Sequence, residues 1–82
     1  MNNIIGKKVR EARRNYKPAL SQKELAAKLE LDGWKISRGT LAKIETGIRQ
    51  VTDHEVMALA KALKVSPEWL LDKELFNKYF TK

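Results

Sequence analysis

Hydrophobic residues recur along this chain at helical intervals, and no stretch alternates as a strand would. Ile5, Val9, Ala12 and Tyr16 keep the i, i+4, i+7, i+11 spacing of one helical face, with Lys7, Arg10 and Arg14 on the other. This first helix must stop before Pro18. Leu25, Ala26 and Leu29 supply the buried stripe of a short second helix over about 22–30, opened by the capping box Ser21 to Glu24. Asp32-Gly33 signals a turn, and Ser37 caps a third helix over about 38–46, with Leu41 and Ile44 on one face and Gly47 to end it. A second capping box, Thr52 to Glu55, opens a fourth helix striped by Val56, Leu59, Ala60 and Leu63. Ser66 caps a fifth, with Pro67 at its first position, and Trp69, Leu70 and Leu71 close the core. The pattern predicts an all-α fold of five helices.

Eighty-two residues allow one domain with a small core, and 43% hydrophobic residues suit a helical bundle better than a disordered chain. A large catalytic cleft does not fit that size. The absence of cysteine excludes disulfides and thiolate metal sites, and no metal or cofactor is expected. The longest apolar runs fall short of the roughly 20 residues that span a bilayer, and "MNNIIGKK" lacks the apolar stretch of a secretory signal. The expected location is the cytoplasm. Charge sharpens this picture. The net charge is +7, and residues 1–50 carry all of the excess: twelve Lys and Arg face five acidic residues there, against five of each sign in 51–82. Such a half suits a polyanion, although a solvated basic face that keeps a small protein soluble has the same composition.

Two short helices joined by a turn, after a basic amphipathic helix and before two more, make the arrangement of a helix-turn-helix DNA-binding domain. The ordered stretches "LSQKELAAKL", "ISRGTLAKIETGIR" and "LAKALKVSPEWLL" make the resemblance specific. Over residues 4–71 the chain resembles the Cro and lambda-repressor-like family of bacterial and phage regulators, also called the xenobiotic response element family. The resemblance implies a lambda-repressor-like DNA-binding domain over 1–71; residues 72–82 lie beyond it and are expected to form a helical extension or tail. It implies a sequence-specific regulator of double-stranded DNA, of repressor type, acting as a homodimer on an inverted repeat.

The family's pattern also places roles on residues. The third helix would lie in the major groove with Arg38, Gly39, Thr40 and Lys43 at base-reading positions. Arg38 can present its guanidinium to the O6 and N7 of guanine, or to a phosphate. Lys43 has the same two choices. Thr40 either meets a thymine methyl or hydrogen-bonds back to Ser37, and Ala42 is expected to be small and exposed. Gly39 removes direct readout and would let the backbone approach the groove wall, leaving specificity to Arg38, Lys43 and DNA shape. Gln22 matches the family's phosphate-binding glutamine, Arg49 would reach the backbone across the groove, and Lys23 and Lys35 are further phosphate candidates. Arg13 and Glu45 match a pair that fixes the recognition helix to its scaffold.

Three features depart from the family. "NYKPALS" and "LDGWKIS" lengthen the first two turns, and Trp34 within the second either covers the core or stands exposed against the sugar-phosphate backbone. In the tail, Phe76, Tyr79 and Phe80 keep helical spacing and would form a dimer contact or close over their own domain. Asp53 makes the fourth helix's start acidic where the family often approaches DNA.

Other classes fit less well. His54 is the only histidine and has no clustered carboxylates, and Ser21, Ser37 and Ser66 are explained as caps, which leaves no catalytic set. The first helix has a lipid-binding look, but its apolar face is needed for the core and lacks Trp and Phe, so no membrane partner is expected. Sequence-specific RNA readers expose aromatic residues for stacking, and only Trp34 and the tail aromatics qualify here. The alternative that stays open is a protein-interaction or antitoxin-like module with only non-specific nucleic-acid binding, together with an unidentified protein partner or effector.

Overall fold

Side-chain acceptors written into the sequence start four of the five helices. In the computed structural model, which describes residues 5–71, the order is α1 (Gly6–Asn15), α2 (Gln22–Leu31), α3 (Arg38–Glu45), α4 (Asp53–Leu63) and α5 (Pro67–Leu70). Ser21 Oγ accepts from the Glu24 amide at 3.0 Å while Glu24 Oε1 accepts from the Ser21 amide at 2.8 Å, and Thr52 and Glu55 repeat the exchange on α4. Ser37 and Ser66 cap α3 and α5 through the amides of Thr40 and Trp69. Each cap satisfies an amide that the first turn leaves without a helical partner. α1 starts at Ile5 without a side-chain cap. No strand occurs among the described residues, and none of their helices is long and apolar enough to cross a membrane.

Three helix ends close by one device. The Trp34 amide donates to the Leu29 carbonyl and the Gly33 amide to that of Glu30, with Gly33 at φ +102°. Ile48 and Gly47 repeat this on Lys43 and Ile44, with Gly47 at φ +83°, and Val65 and Lys64 repeat it on Ala60 and Lys61. This is the Schellman pattern, whose turning residue takes a left-handed conformation that glycine adopts without steric cost. At the third site the turning residue is Lys64, at φ 58°.

The core gathers Ile5, Val9 and Ala12 of α1, Leu25, Ala26 and Leu29 of α2, Leu41 and Ile44 of α3, and Val56, Leu59, Ala60, Ala62 and Leu63 of α4. Ile36, Val51, Leu70 and Leu71 complete it. Trp69 is only half-buried at its edge, and Tyr16 falls just outside α1, half-buried at its C-cap in extended conformation. Trp34 is half-buried and packs on the core, as expected of an apolar residue that follows a Schellman turn. α3 thus lies across α1 and α2 with one face inward. Residues 72–82, including Phe76, Tyr79 and Phe80, lie outside the described residues.

Candidate nucleic-acid interface

The inner face of α3 is fastened to the scaffold in two ways. The first is a buried carboxylate. Glu45, whose side chain has 0% exposure, accepts from Arg13 Nε at 2.8 Å and Arg13 Nη2 at 2.9 Å, from Gln22 Nε2 at 3.2 Å and from Arg10 Nε at 3.4 Å. Arg13 also donates Nη1 to the Leu20 carbonyl at 2.9 Å, while the Leu20 amide donates to the Arg13 carbonyl at 3.0 Å. One guanidinium therefore joins α1, the lengthened α1–α2 turn and α3. Burial alone would push the Glu45 carboxyl up, but the Arg13 and Gln22 donors, the Arg13 charge and Arg10 outweigh it and hold the group below its ordinary value of 4.5. The second fastening has no side chain at all. A Cβ added to Gly6 would stand 2.5 Å from the Ile44 carbonyl oxygen and 2.6 Å from that of Glu45, so the end of α3 rests directly on the backbone of α1.

The outer face is open. Arg38, Gly39 and Lys43 are exposed, and the side chains of Arg38 and Lys43 have no hydrogen-bond or ion-pair partner among the described residues. A Cβ at Gly39 would meet only Ser37 Oγ, at 3.8 Å, so nothing in the protein requires a glycine there. Thr40 is half-buried and engaged with the cap: its amide and its hydroxyl both lie 3.0 Å from Ser37 Oγ. Ala42 is half-buried rather than exposed, because it stands next to buried Leu41 and three positions before buried Glu45, at the edge of the inward face. Lys23 and Lys35 are exposed and without partners among the described residues.

Two of the phosphate candidates already have internal tasks. Gln22 turns its amide toward Glu45. Arg49 forms a two-pronged pair with Glu55, Nη1 to Oε1 and Nη2 to Oε2 at 3.0 Å each, and donates to the Gln50 carbonyl as well. Because Glu55 Oε1 also caps α4, Arg49 ties the loop after α3 to the start of α4. The Glu55 carboxyl is held below its ordinary value chiefly by Arg49. Arg10, placed by periodicity on the far face of α1, reaches Glu45 because a long side chain at the edge of the stripe can curl inward; it stays 42% exposed. Gly6 had one legible signal, a glycine inside the first turn between Ile5 and Val9.

Comparison with known proteins bears on this geometry. Residues 9–70 match the family model described as Helix-turn-helix. No curated protein matches the chain. Among solved structures, the chain is similar to the restriction-modification controller protein C.AhdI from Aeromonas hydrophila, with 30% identity and a TM-score of 0.68 over 82% of this chain and 91% of that one.

Proposed function

Because the chain belongs to the helix-turn-helix family of DNA-binding transcriptional regulators of the Cro and lambda-repressor type, we propose that it binds an inverted-repeat operator as a homodimer with α3 in the major groove. The observation that carries this reading is the contrast between the two faces of α3. Its back is fastened by a buried ion pair and a backbone contact, while the Arg38 and Lys43 side chains stand exposed on its front without partners among the described residues. Long cationic side chains held on a rigid helix are what base-edge readout requires. Arg38 reads guanine, Lys43 reads guanine or a phosphate one turn on, and Gly39 admits close approach of the backbone. Thr40 shapes the helix start through its cap and presents its methyl to the groove. Lys23 and Lys35 contact phosphates. Gln22 and Arg49 are second in line there, since contact would draw on groups already bonded inside the protein.

Dimerisation follows from the same logic. A domain this small offers one recognition helix, and two half-sites about 34–36 Å apart double the sequence that can be read. The likeness to a restriction-modification controller protein supports control of a restriction-modification locus as the biological setting. Selection from a randomised duplex library at about physiological salt tests the whole reading, because low salt inflates phosphate binding by any basic protein. The expected product is an inverted repeat with guanine at matching half-site positions, and Arg38→Ala should relax preference at that guanine by about 1–3 kcal/mol. The enriched motif should occur upstream of a restriction-modification gene pair in the source genome. Recovery without enrichment would leave backbone binding alone and overturn sequence-specific regulation.

A further inference from the structure

A groove of about 450 Å3 lies between the end of α1, the end of α4 and the start of α5, and no residue of α3 or of the turn before it takes part in its walls. Its volume falls in the range of small-molecule sites, roughly 300–1,000 Å3. Ala12, Leu63, Val65 and Trp69 give it an apolar floor. One end is strongly positive. There Tyr16, Lys17 and Lys64 line the wall, with Lys64 Nζ 5.8 Å from the Tyr16 ring centroid, and Lys28, outside the lining itself, brings its Nζ to 5.4 Å from the same centroid. Lys8, itself outside the lining, has its Nζ 4.5 Å over the ring of Trp69, which lines the groove. None of Lys8, Lys17, Lys28 and Lys64 has a carboxylate partner among the described residues. The Tyr16 phenol is drawn below its ordinary value, first by the neighbouring Lys28 ammonium and then by Lys64, which marks this wall as a place where negative charge is favoured. Lys64 stands there in the left-handed conformation that glycine takes most easily, and so projects an ammonium where the neighbouring turns have none.

We propose that this groove binds a small organic carboxylate with a planar apolar body, its carboxylate between Lys28, Lys64 and the Tyr16 hydroxyl and its ring on Val65 and Trp69. Charge complementarity selects the anion, and the apolar floor selects against inorganic phosphate or a bare acetate. The wall formed by α1 also carries Arg13, which holds Glu45, so occupancy of the groove bears on the helix that positions α3.

The test is a titration of the full chain, uniformly 15N-labelled, with 3-phenylpropionate and indole-3-propionate, followed by heteronuclear NMR. The amide 3-phenylpropanamide and acetate serve as controls. The expected result is saturable shifts at Tyr16, Lys64, Val65 and the Trp69 indole. The amide should bind about tenfold more weakly, since it loses charge-assisted hydrogen bonds to the ammoniums. Lys28→Ala and Lys64→Gly should each weaken the acid by a similar factor; Lys28 is half-buried on α2, where alanine suits the helix, and Lys64 is exposed where glycine suits the backbone, so a thermal melt is expected to show the fold retained. No saturable shift into the millimolar range, equal binding of acid and amide, or shifts centred on α3 would overturn the proposal. So would a groove that responds to an acidic peptide and to none of the acids, since that outcome assigns it to a protein partner.

Discussion

Glu45 shows how much one side chain carries when its charge is buried. Four donor nitrogens from three residues converge on it, so removing the carboxylate strands the Arg13 guanidinium in a place that water reaches poorly. Glu45→Ala should lower unfolding free energy by about 3–5 kcal/mol in denaturant titrations, and a loss under about 1 kcal/mol would mean that the pair is dispensable. The same group sets a pH dependence. Its pKa is depressed in the folded state, so its stabilisation is full above 4.5 and is lost as pH falls through the folded value. Glu45→Gln should therefore flatten the acid limb of the stability profile. Gly6 and Gly39 make a second residue-scale contrast, since both occupy first helical turns. Gly6→Ala should destabilise by about 1–3 kcal/mol, because its Cβ runs into backbone oxygens that cannot step aside. Gly39→Ala makes only an ordinary contact with Ser37 Oγ and should add up to about 1 kcal/mol from helix propensity. Gly39→Gln then tests its place at the interface: unchanged affinity and site preference would remove Gly39 from the contact. Sequence pattern does not separate these two glycines, because what distinguishes them is a neighbour 38 or more positions along the chain.

At the scale of elements, the starts of α2, α3, α4 and α5 are legible because a cap is local: the acceptor and the amide it serves are three residues apart. Helix ends are legible where glycine writes them, at Gly33 and Gly47, and not where Lys64 does the same work. The partners of Glu45 lie 23 to 35 residues away, and only the crossing of α1, α2 and α3 decides which of the basic residues answers it. Arg49 illustrates the cost of reading a cation without its neighbours. Its two-pronged bond to Glu55 joins the loop after α3 to the first turn of α4, and helical periodicity is silent about a side chain in a loop. The turns themselves give a paired prediction. Gly47→Ala should destabilise by about 1 kcal/mol or more, since φ +83° is strained for any side chain, whereas Lys64→Gly should stabilise by about 0.5–1 kcal/mol by releasing that strain. Thermal melts of the two variants, which must move in opposite directions, check it.

For the molecule as a whole, the basic half of the sequence is the half that contains α1, α2 and α3, and its charges divide into those bonded inward and those left to solvent. Arg13 and Arg49 belong to the first set; Lys23, Lys35, Arg38 and Lys43 belong to the second. Salt dependence of DNA binding should follow that division. Each phosphate neutralised contributes a slope of about −0.9 in log affinity against log salt. Lys35→Ala or Lys23→Ala should reduce the slope by close to one such unit, and Arg49→Ala by less, as measured by fluorescence anisotropy over a salt series. The open front of α3 has a consequence beyond any single binding event. Because the side chains at Arg38, Gly39 and Lys43 bear no part of the packing, the base-reading role proposed for them predicts that their replacement rewrites the address without dismantling the machine that delivers it. A few exchanges there would yield regulators that ignore one another's operators in the same cell, each on an unchanged chassis.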